Sequence, residues 1–141
     1  MSSPVDNRPI DQSVLVIDSD IISRHAIAGY LRHCGYAIVE AASTDEAMTA
    51  LAEASLEIDV ILCDVGAIGA QSGLELAQWV RLNRPGLEVR LAGNLNATTK
   101  TAADLCEAGP NLRRPYEPEA VADYIKQLRA ARSRKLSSAH A

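Results

Sequence analysis

The chain has 141 residues and a formal net charge of −4, with 48% hydrophobic and 23% charged residues. This length suits one domain with a single hydrophobic core, and the composition is that of a globular rather than a disordered protein. The negative charge argues against a nucleic-acid-binding surface, no apolar run is long enough to cross a bilayer, and the amino-terminal residues lack a signal-peptide pattern, so we expect a cytoplasmic protein.

The first two repeats each predict a strand followed by a helix. The apolar run "SVLVI" (13–17) predicts a buried strand, and "IISRHAIAGYLRHC" (21–34) has the spacing of a helix, with Gly35 at the position of a carboxyl-terminal cap. "YAIVEAA" predicts a second strand. "STDEAMTALAEA" predicts a second helix that begins with a capping box of Ser43 and Glu46.

Three further repeats continue the alternation. A strand over about 58–65 precedes the helix "GLELAQWVRLN", which has its own capping box of Ser72 and Glu75. "LEVRLA" and "ATTKTAADLCEAG" predict the fourth strand and helix, and "NLRRP" and "PEAVADYIKQLRAAR" predict the fifth pair. Because parallel strands need crossover connections, five strand–helix repeats predict a parallel sheet with helices on both faces.

The same pattern sets the expected boundaries of the domain. We divide the chain into a flexible amino-terminal segment (1–12), one α/β domain (13–132) and a polar carboxyl-terminal tail (133–141). The tail is too short to be another domain.

The cysteines indicate no special chemistry. Cys34, Cys63 and Cys106 are odd in number, widely spaced and outside any C-x-x-C pair. In a reducing compartment we expect them to be small buried hydrophobic side chains with no metal-binding or redox role.

Charged side chains collect at the carboxyl ends of the predicted strands, where open α/β sheets bind ligands. Asp18 and Asp20 follow the first strand, Asp64 ends the third and Arg114 ends the fifth. Each acid taken alone favours a structural role such as helix capping. Acids at two neighbouring strand ends with a cation on a third indicate a compensated charge cluster, and such carboxylates suit Mg²⁺.

Four motifs accompany the fivefold alternation of strands and helices: "VLVIDSD", "VILCDV", the Gly73-Leu74-Glu75 opening of the third helix and "AGPNLRRPY". With these motifs, the chain from about 13 to 132 resembles the receiver domain of two-component response regulators. The resemblance implies a flavodoxin-like (βα)5 three-layer sandwich whose five-stranded parallel sheet has the order 2-1-3-4-5. It also implies a phosphoacceptor signalling domain rather than an enzyme.

The resemblance implies a role for each residue at the strand ends. Asp64 matches the aspartate that accepts a phosphoryl group from a histidine kinase or a histidine phosphotransfer protein, as a carboxylate nucleophile. Asp18 and Ser19 match the acidic pair that holds Mg²⁺, with Asp20 as a substitute for Ser19. Asp64 itself and the backbone carbonyl of Gly66 would complete the metal ligands.

Several positions depart from the family pattern. Ser19 replaces an acid, which predicts weaker Mg²⁺ binding because the number of carboxylates sets the attraction for a hard cation. Ala92 stands at the hydroxyl position that ends the fourth strand and cannot donate a hydrogen bond to a phosphoryl oxygen. Arg114 stands at the lysine position and has the fork geometry to grip Asp64 or a phosphoryl group. Asn111 replaces the usual aromatic switch residue.

Three interpretations remain open at this point. The first is a single-domain receiver that is phosphorylated on Asp64 and signals through an atypical switch. The second is a receiver-like interaction module that works without phosphorylation, which is favoured by Ser19, Ala92, Arg114 and Asn111. The third, a small flavin- or nucleotide-binding protein, would need a glycine-rich turn after the first strand, where "DSDIIS" places acids instead.

The resemblance also implies a surface for partners. The fourth and fifth strands and helices form the family's usual output face, here 94–107 and 116–128, where we expect a downstream protein, with a homodimer as an open alternative. Tyr116 is either a contact residue on this face or part of the core. Arg90 lies inside a predicted strand, so its charge must find an acid or reach solvent.

Overall fold

The computed structural model describes residues 12–109 and 116–139. Its strands are β1 (Ser13–Ile17), β2 (Ala37–Ala41), β3 (Val60–Asp64) and β4 (Glu88–Ala92), and its helices are α1 (Ile21–His33), α2 (Thr44–Ala52), α3 (Gly73–Asn83), α4 (Leu95–Ala108) and α5 (Pro118–Ala139). These elements follow the predicted order. The predicted fifth strand, "NLRRP", lies outside the described residues.

The four described strands form one parallel sheet in the order β2-β1-β3-β4. The register aligns Ile17 with Cys63 and Asp64 with Ala92. The chain therefore leaves β1, β3 and β4 at the same edge of the sheet, and the residues that follow these strands are neighbours. The prediction of a flavodoxin-like α/β fold is confirmed.

Strands β1 and β3 present alternate residues to two hydrophobic layers, as the period of a strand requires. One layer is formed by β1, β3, α1, α4 and α5 and includes Val14, Val16, Leu62, Ile27, Leu31, Leu105 and Ile125. The other is formed with α2 and α3 and includes Leu15, Ile17, Ile61, Ala47, Leu51, Leu76 and Val80. Helices thus cover both faces, as predicted.

Helix α4 packs on the same face of the sheet as α1. A right-handed crossover from β4 to a parallel strand at its free edge would instead place α4 on the face of α2 and α3. Ala102, Leu105 and Cys106 of α4 share a hydrophobic cluster with Val14 of β1 and Leu31 of α1. This packing brings α4 against α1, which the alternation of elements alone does not specify.

The expectation that all three cysteines are small hydrophobic side chains with no redox role is wrong for two of them. Cys34 and Cys106 form a disulfide with a Cα–Cα distance of 5.2 Å, across 72 residues of sequence. The bond arises because α4 lies against α1, so its physical cause is tertiary packing. The expected burial is confirmed, since Cys34, Cys63 and Cys106 are each 0% exposed, and Cys63 is a free thiol.

The helix ends follow the sequence signals with two differences. Gly35 has a φ of 97° just after α1, as its predicted cap position requires, and Ser72 and Glu75 form the full capping box of α3. At α2 the second hydrogen bond of the predicted capping box is displaced by one residue. The Glu46 carboxylate accepts from the backbone N–H of Ala42, and not from that of Ser43. Helix α5 continues to Ala139, through most of the segment expected to be a tail.

The described helices include none with both the length and the apolar composition that a membrane span requires. Even α5, with its 22 residues, carries charged side chains from Glu119 to Lys135.

Candidate functional site

Three carboxylates lie at the edge of the sheet where β1 and β3 end. We call Asp18, Asp20 and Asp64 the acidic notch. The pKa of Asp18 is raised above its ordinary value, first by burial and then by the negative charges of Asp64 and Asp20, while hydrogen bonds from Asp20 and Ser23 oppose the rise. The structure therefore brings Asp18 and Asp64, which are far apart in sequence, within electrostatic range of each other.

Asp18 is the most enclosed member of the acidic notch, with only 6% of its surface exposed. Its backbone N–H continues the β1 pattern by donating to the carbonyl of Ala41 at 3.1 Å. Its Oδ1 accepts the backbone N–H of Asp20 at 2.9 Å, in a tight turn that leads into α1. Burial and this hydrogen bond fix the orientation of the carboxylate.

Asp64 is the last residue of β3 and is only partly buried. Its Oδ1 accepts the backbone N–H of Gly66 at 3.2 Å, and no described residue donates a hydrogen bond to its Oδ2. Gly66 lies close to the carboxylate, since a Cβ there would be 3.7 Å from Oδ2. Within the described residues, Asp64 therefore combines a partly buried side chain with a carboxylate oxygen that accepts no hydrogen bond.

Ser19 and Asp20, the two alternatives for a second metal ligand, already have partners. The Ser19 hydroxyl oxygen accepts the backbone N–H of Ile68 at 2.9 Å. Asp20 is the N-cap of α1, where its Oδ1 accepts from Ile22, and its Oδ2 accepts from Arg129 Nε at 2.7 Å. Reasoning from the sequence missed Arg129 because 109 residues separate it from Asp20.

The loop between β3 and α3 is attached to the start of α2. The buried Thr44 donates its hydroxyl to the carbonyl of Gln71 at 2.7 Å, and its backbone N–H to the carbonyl of Ile68 at 2.8 Å. Gly69 has a φ of 140° and lies so close to Thr44 that a Cβ would clash with its hydroxyl. This loop therefore has a defined path beside Asp64.

The other predicted site positions are placed as follows. Ala92 is buried and pairs in register with Asp64. Its methyl group thus stands at the strand end where the resemblance places a hydroxyl residue. Arg90 pairs with Glu88 on the same strand face at 2.5 Å, and this contact accounts for its charge. Arg114 and Asn111 lie outside the described residues.

The free thiol of Cys63 stands next to Asp64 in β3. Burial raises its pKa to about 12, and the negative charges of Asp64 and Asp18 contribute. Because the thiolate is the nucleophilic form of cysteine, both the raised pKa and the burial of Cys63 disfavour its reaction at neutral pH.

The donor set of the acidic notch can be tested against Mg²⁺. The described residues include no group of three His, Cys, Asp or Glu side chains arranged to hold a metal. Mg²⁺ nevertheless needs only one or two carboxylates when waters and phosphate oxygens fill its other positions. Asp18 and Asp64 supply two hard oxygen ligands whose mutual repulsion a cation would relieve, so they fit this ion.

Comparison with known proteins identifies the family. The family model for the response regulator receiver domain matches residues 14–126. The chain belongs to this family. Its place in two-component signal transduction follows from that membership, and receiver domains serve as phosphoacceptors and partners of histidine kinases.

Solved structures give the same fold. The chemotaxis response regulator CheY4 of Vibrio cholerae is 22% identical, with a TM-score of 0.56 over 84% of this chain and 98% of that one. A response regulator receiver domain protein from Clostridium thermocellum is 23% identical, with a TM-score of 0.55 over 89% of this chain and 98% of that one. At these identities the likeness shows the fold alone.

A curated relative matches a shorter stretch. The rice protein "Two-component response regulator-like PRR37" (Oryza sativa subsp. indica) is 36% identical over 63 residues, which are 45% of this chain and 8% of that protein. This receiver domain thus corresponds to a small part of the curated relative that it matches.

Proposed function

We propose that this receiver domain accepts a phosphoryl group on Asp64 from a histidine kinase or a histidine phosphotransfer protein, with Mg²⁺, in the cytoplasm. One observation carries the proposal. The Oδ2 of Asp64, to which no residue in 12–109 or 116–139 donates a hydrogen bond, lies at the end of β3, within electrostatic range of the buried Asp18. Two carboxylates in this arrangement supply a nucleophile and a place for the cation that phosphoryl transfer requires.

The proposed chemistry assigns separate tasks to the residues around Asp64. Oδ2 forms the new bond to phosphorus as the bond from phosphorus to the donor's imidazole nitrogen breaks, and that nitrogen keeps the electron pair. The Gly66 N–H donates to Oδ1, which leaves Oδ2 to attack phosphorus. When bound, Mg²⁺ neutralises charge on the phosphoryl oxygens.

The proposed metal ligands are Asp18, Asp64 and the backbone carbonyl of Gly66. Ser19 and Asp20 are weaker candidates, because the first holds Ile68 and the second holds Arg129. Fewer free carboxylates mean a weaker attraction for a hard cation. We therefore expect Mg²⁺ to bind less tightly here than in a receiver with two free acids after β1.

The proposed output is contact with another protein through the 94–107 and 116–128 surface, in a domain that spans 13–132, with a homodimer through the same surface as an alternative. A groove between α4 and α5 is lined mainly by polar residues, among them Asn96, Thr99, Lys100, Asp104, Asp123 and Lys126. Tyr116 is 60% exposed and Tyr124 56% exposed, so both are available for contacts. With Ala92 unable to bond a phosphoryl oxygen and Arg114 at the lysine position, the proposed switch is atypical.

A second candidate is a receiver domain that binds its partner without phosphorylation. The observation that favours it is the bond from Ile68 to the Ser19 hydroxyl, which fixes the loop after β3 without any ion. The rice relative is itself described as "response regulator-like".

Intact mass spectrometry separates the two candidates. The protein is incubated with acetyl phosphate and Mg²⁺, with EDTA in a parallel sample, and Asp64→Asn is treated identically. The proposal expects the wild type to gain the mass of one phosphoryl group, and the gain to be lost with EDTA and in Asp64→Asn. No gain in the wild type, with acetyl phosphate or with a phosphorylated histidine donor, would support the second candidate.

A further inference from the structure

An ion pair connects the acidic notch to the last helix. Arg129 of α5 contacts Asp20 Oδ2 through Nε at 2.7 Å and through a terminal guanidinium nitrogen at 2.5 Å. The two side chains are partly exposed, at 42% for Arg129 and 34% for Asp20. Helix α5 thus places a positive charge against a carboxylate of the proposed site.

Asp20 interacts directly with Asp18 in the acidic notch. The backbone N–H of Asp20 donates to Asp18 Oδ1, and the negative charge of the Asp20 carboxylate contributes to the raised pKa of Asp18. Arg24 also approaches, but it donates to the backbone carbonyl of Asp18 and pairs through Nε with Glu40. Within the ranges 12–109 and 116–139, Arg129 is therefore the cation that compensates a notch carboxylate.

Among the described side chains, Arg129 is also the last one of α5 that contacts the body of the domain. Side chains from 130 to 137 are all exposed, whereas Ile125, one turn before Arg129, is fully buried in the core. Loss of the ion pair would leave the helix attached only up to about that turn.

We propose that Arg129 is a positioning residue that competes with a divalent cation for the acidic notch and so couples its occupancy to the carboxyl-terminal part of α5. The inference rests on the proposed function for the identity of the cation. A bound divalent ion raises the positive charge beside Asp20 and draws its carboxylate inward, which weakens the bond to Arg129. Release of Arg129 in turn leaves more negative charge for the ion.

This coupling is reciprocal and small. Because linkage makes two competing ligands weaken each other by the same factor, loss of Arg129 should tighten the binding of the ion as much as the ion loosens Arg129. Exposed ion pairs are weak, so the expected factor is about two to five.

Calorimetric titration with Mg²⁺ and hydrogen exchange of α5 test the inference on the intact protein. Arg129→Gln is compared with Arg132→Gln, which removes the same charge from an exposed position one turn away. Arg129→Gln should tighten Mg²⁺ binding about two- to fivefold, and Arg132→Gln should change it by much less. Asp20→Asn keeps a good N-cap but loses the ion pair, so it should speed exchange over 126–137 to the level that Arg129→Gln reaches.

Each result supports or overturns the inference. Addition of Mg²⁺ should speed exchange over 126–137 in the wild type and have no such effect in Asp20→Asn. Equal Mg²⁺ affinities for the two arginine variants, unchanged exchange in the wild type with Mg²⁺ bound, or no Mg²⁺ binding by any variant would overturn it. A different result would separate the two proposals. If Arg129→Gln binds Mg²⁺ more tightly than Arg132→Gln but Asp64 is not phosphorylated, the proposed function is overturned and the coupling remains.

Discussion

The two faces of the sheet hold their helices in different ways. On the α1 side, the Cys34–Cys106 bond joins α1 to α4, and the Tyr36 hydroxyl donates to the carbonyl of Leu105 at 2.5 Å. On the α2–α3 side, the loop that follows Asp64 is attached by hydrogen bonds to Thr44. The first side is covalently fixed, so we expect a chemical change at Asp64 to be accommodated on the second.

The largest expected effect is on the cross-linked side. Reduction of the Cys34–Cys106 bond should lower the free energy of unfolding by about 4 kcal/mol, because a loop of this length restricts the unfolded chain strongly. Urea unfolding with and without a reducing agent measures the change. Cys63→Ala keeps the disulfide, so reduction should lower its free energy of unfolding by the same amount. If reduction of the wild type lowers this free energy by less than about 1 kcal/mol, the cross-link does not hold α4 in place.

On the hydrogen-bonded side, Thr44→Val should cost about 1 to 3 kcal/mol of stability, since it leaves the carbonyl of Gln71 without its donor. Thr49→Val is the matched control, because Thr49 is exposed and its hydroxyl donates to the carbonyl of Asp45 one turn earlier in the chain. Thr44→Val should also speed hydrogen exchange in the loop over 65–72. If the two variants unfold at the same urea concentration, Thr44 does not anchor this loop.

A smaller effect is expected at the start of α3, beside the same loop. Ser72→Ala removes the hydroxyl half of the capping box and should lower the free energy of unfolding by about 1 kcal/mol. Ser55→Ala, at an exposed serine whose hydroxyl donates to the Glu53 carboxylate, should leave thermal unfolding nearly unchanged. A loss at Ser55 as large as that at Ser72 would contradict the assigned role of the cap.

The last effect has the opposite sign and depends on pH. A raised pKa means that folded Asp18 holds its proton more tightly than the unfolded chain does, so the domain loses stability as pH rises from 3.8 through the folded pKa. Asp18→Asn removes this loss and should be more stable than the wild type at neutral pH, with the difference narrowing as pH falls toward 3.8. Urea unfolding between pH 3.8 and neutral pH measures the difference in stability between Asp18→Asn and the wild type. Asp123→Asn, at an exposed position, is the control. A less stable Asp18→Asn at neutral pH would contradict the assigned burial and repulsion.

Local patterns in the sequence were sufficient to predict the elements and part of the site. Strand alternation and helix spacing predicted, in the right order, the four strands and five helices of the described residues. Parallel strands bring their carboxyl ends to one edge of the sheet, which is why Asp18 and Asp64 lie near each other. The partner of Arg90 was also within reach of the sequence, because Glu88 lies two residues away on the same strand face.

Contacts between distant elements were not predictable in this way. Hydrophobic periodicity shows that a helix has an apolar face but not which face of the sheet it covers, so neither the position of α4 nor the Cys34–Cys106 bond followed from it. The Arg129–Asp20 pair and the Ser19–Ile68 bond depend likewise on how helices and loops pack. Ser19 therefore holds the loop after β3, a structural task that its position after β1 alone does not reveal.

The most direct test of the account is to locate the phosphoryl group. The protein is treated with acetyl phosphate and Mg²⁺, the acyl phosphate is reduced with borohydride, and the peptides are sequenced by mass spectrometry. The account predicts modification at Asp64 alone, because Asp18 is buried and both Asp20 oxygens are bonded. Modification at Asp18 or Asp20, or at no aspartate while the protein is folded and binds Mg²⁺, would contradict it.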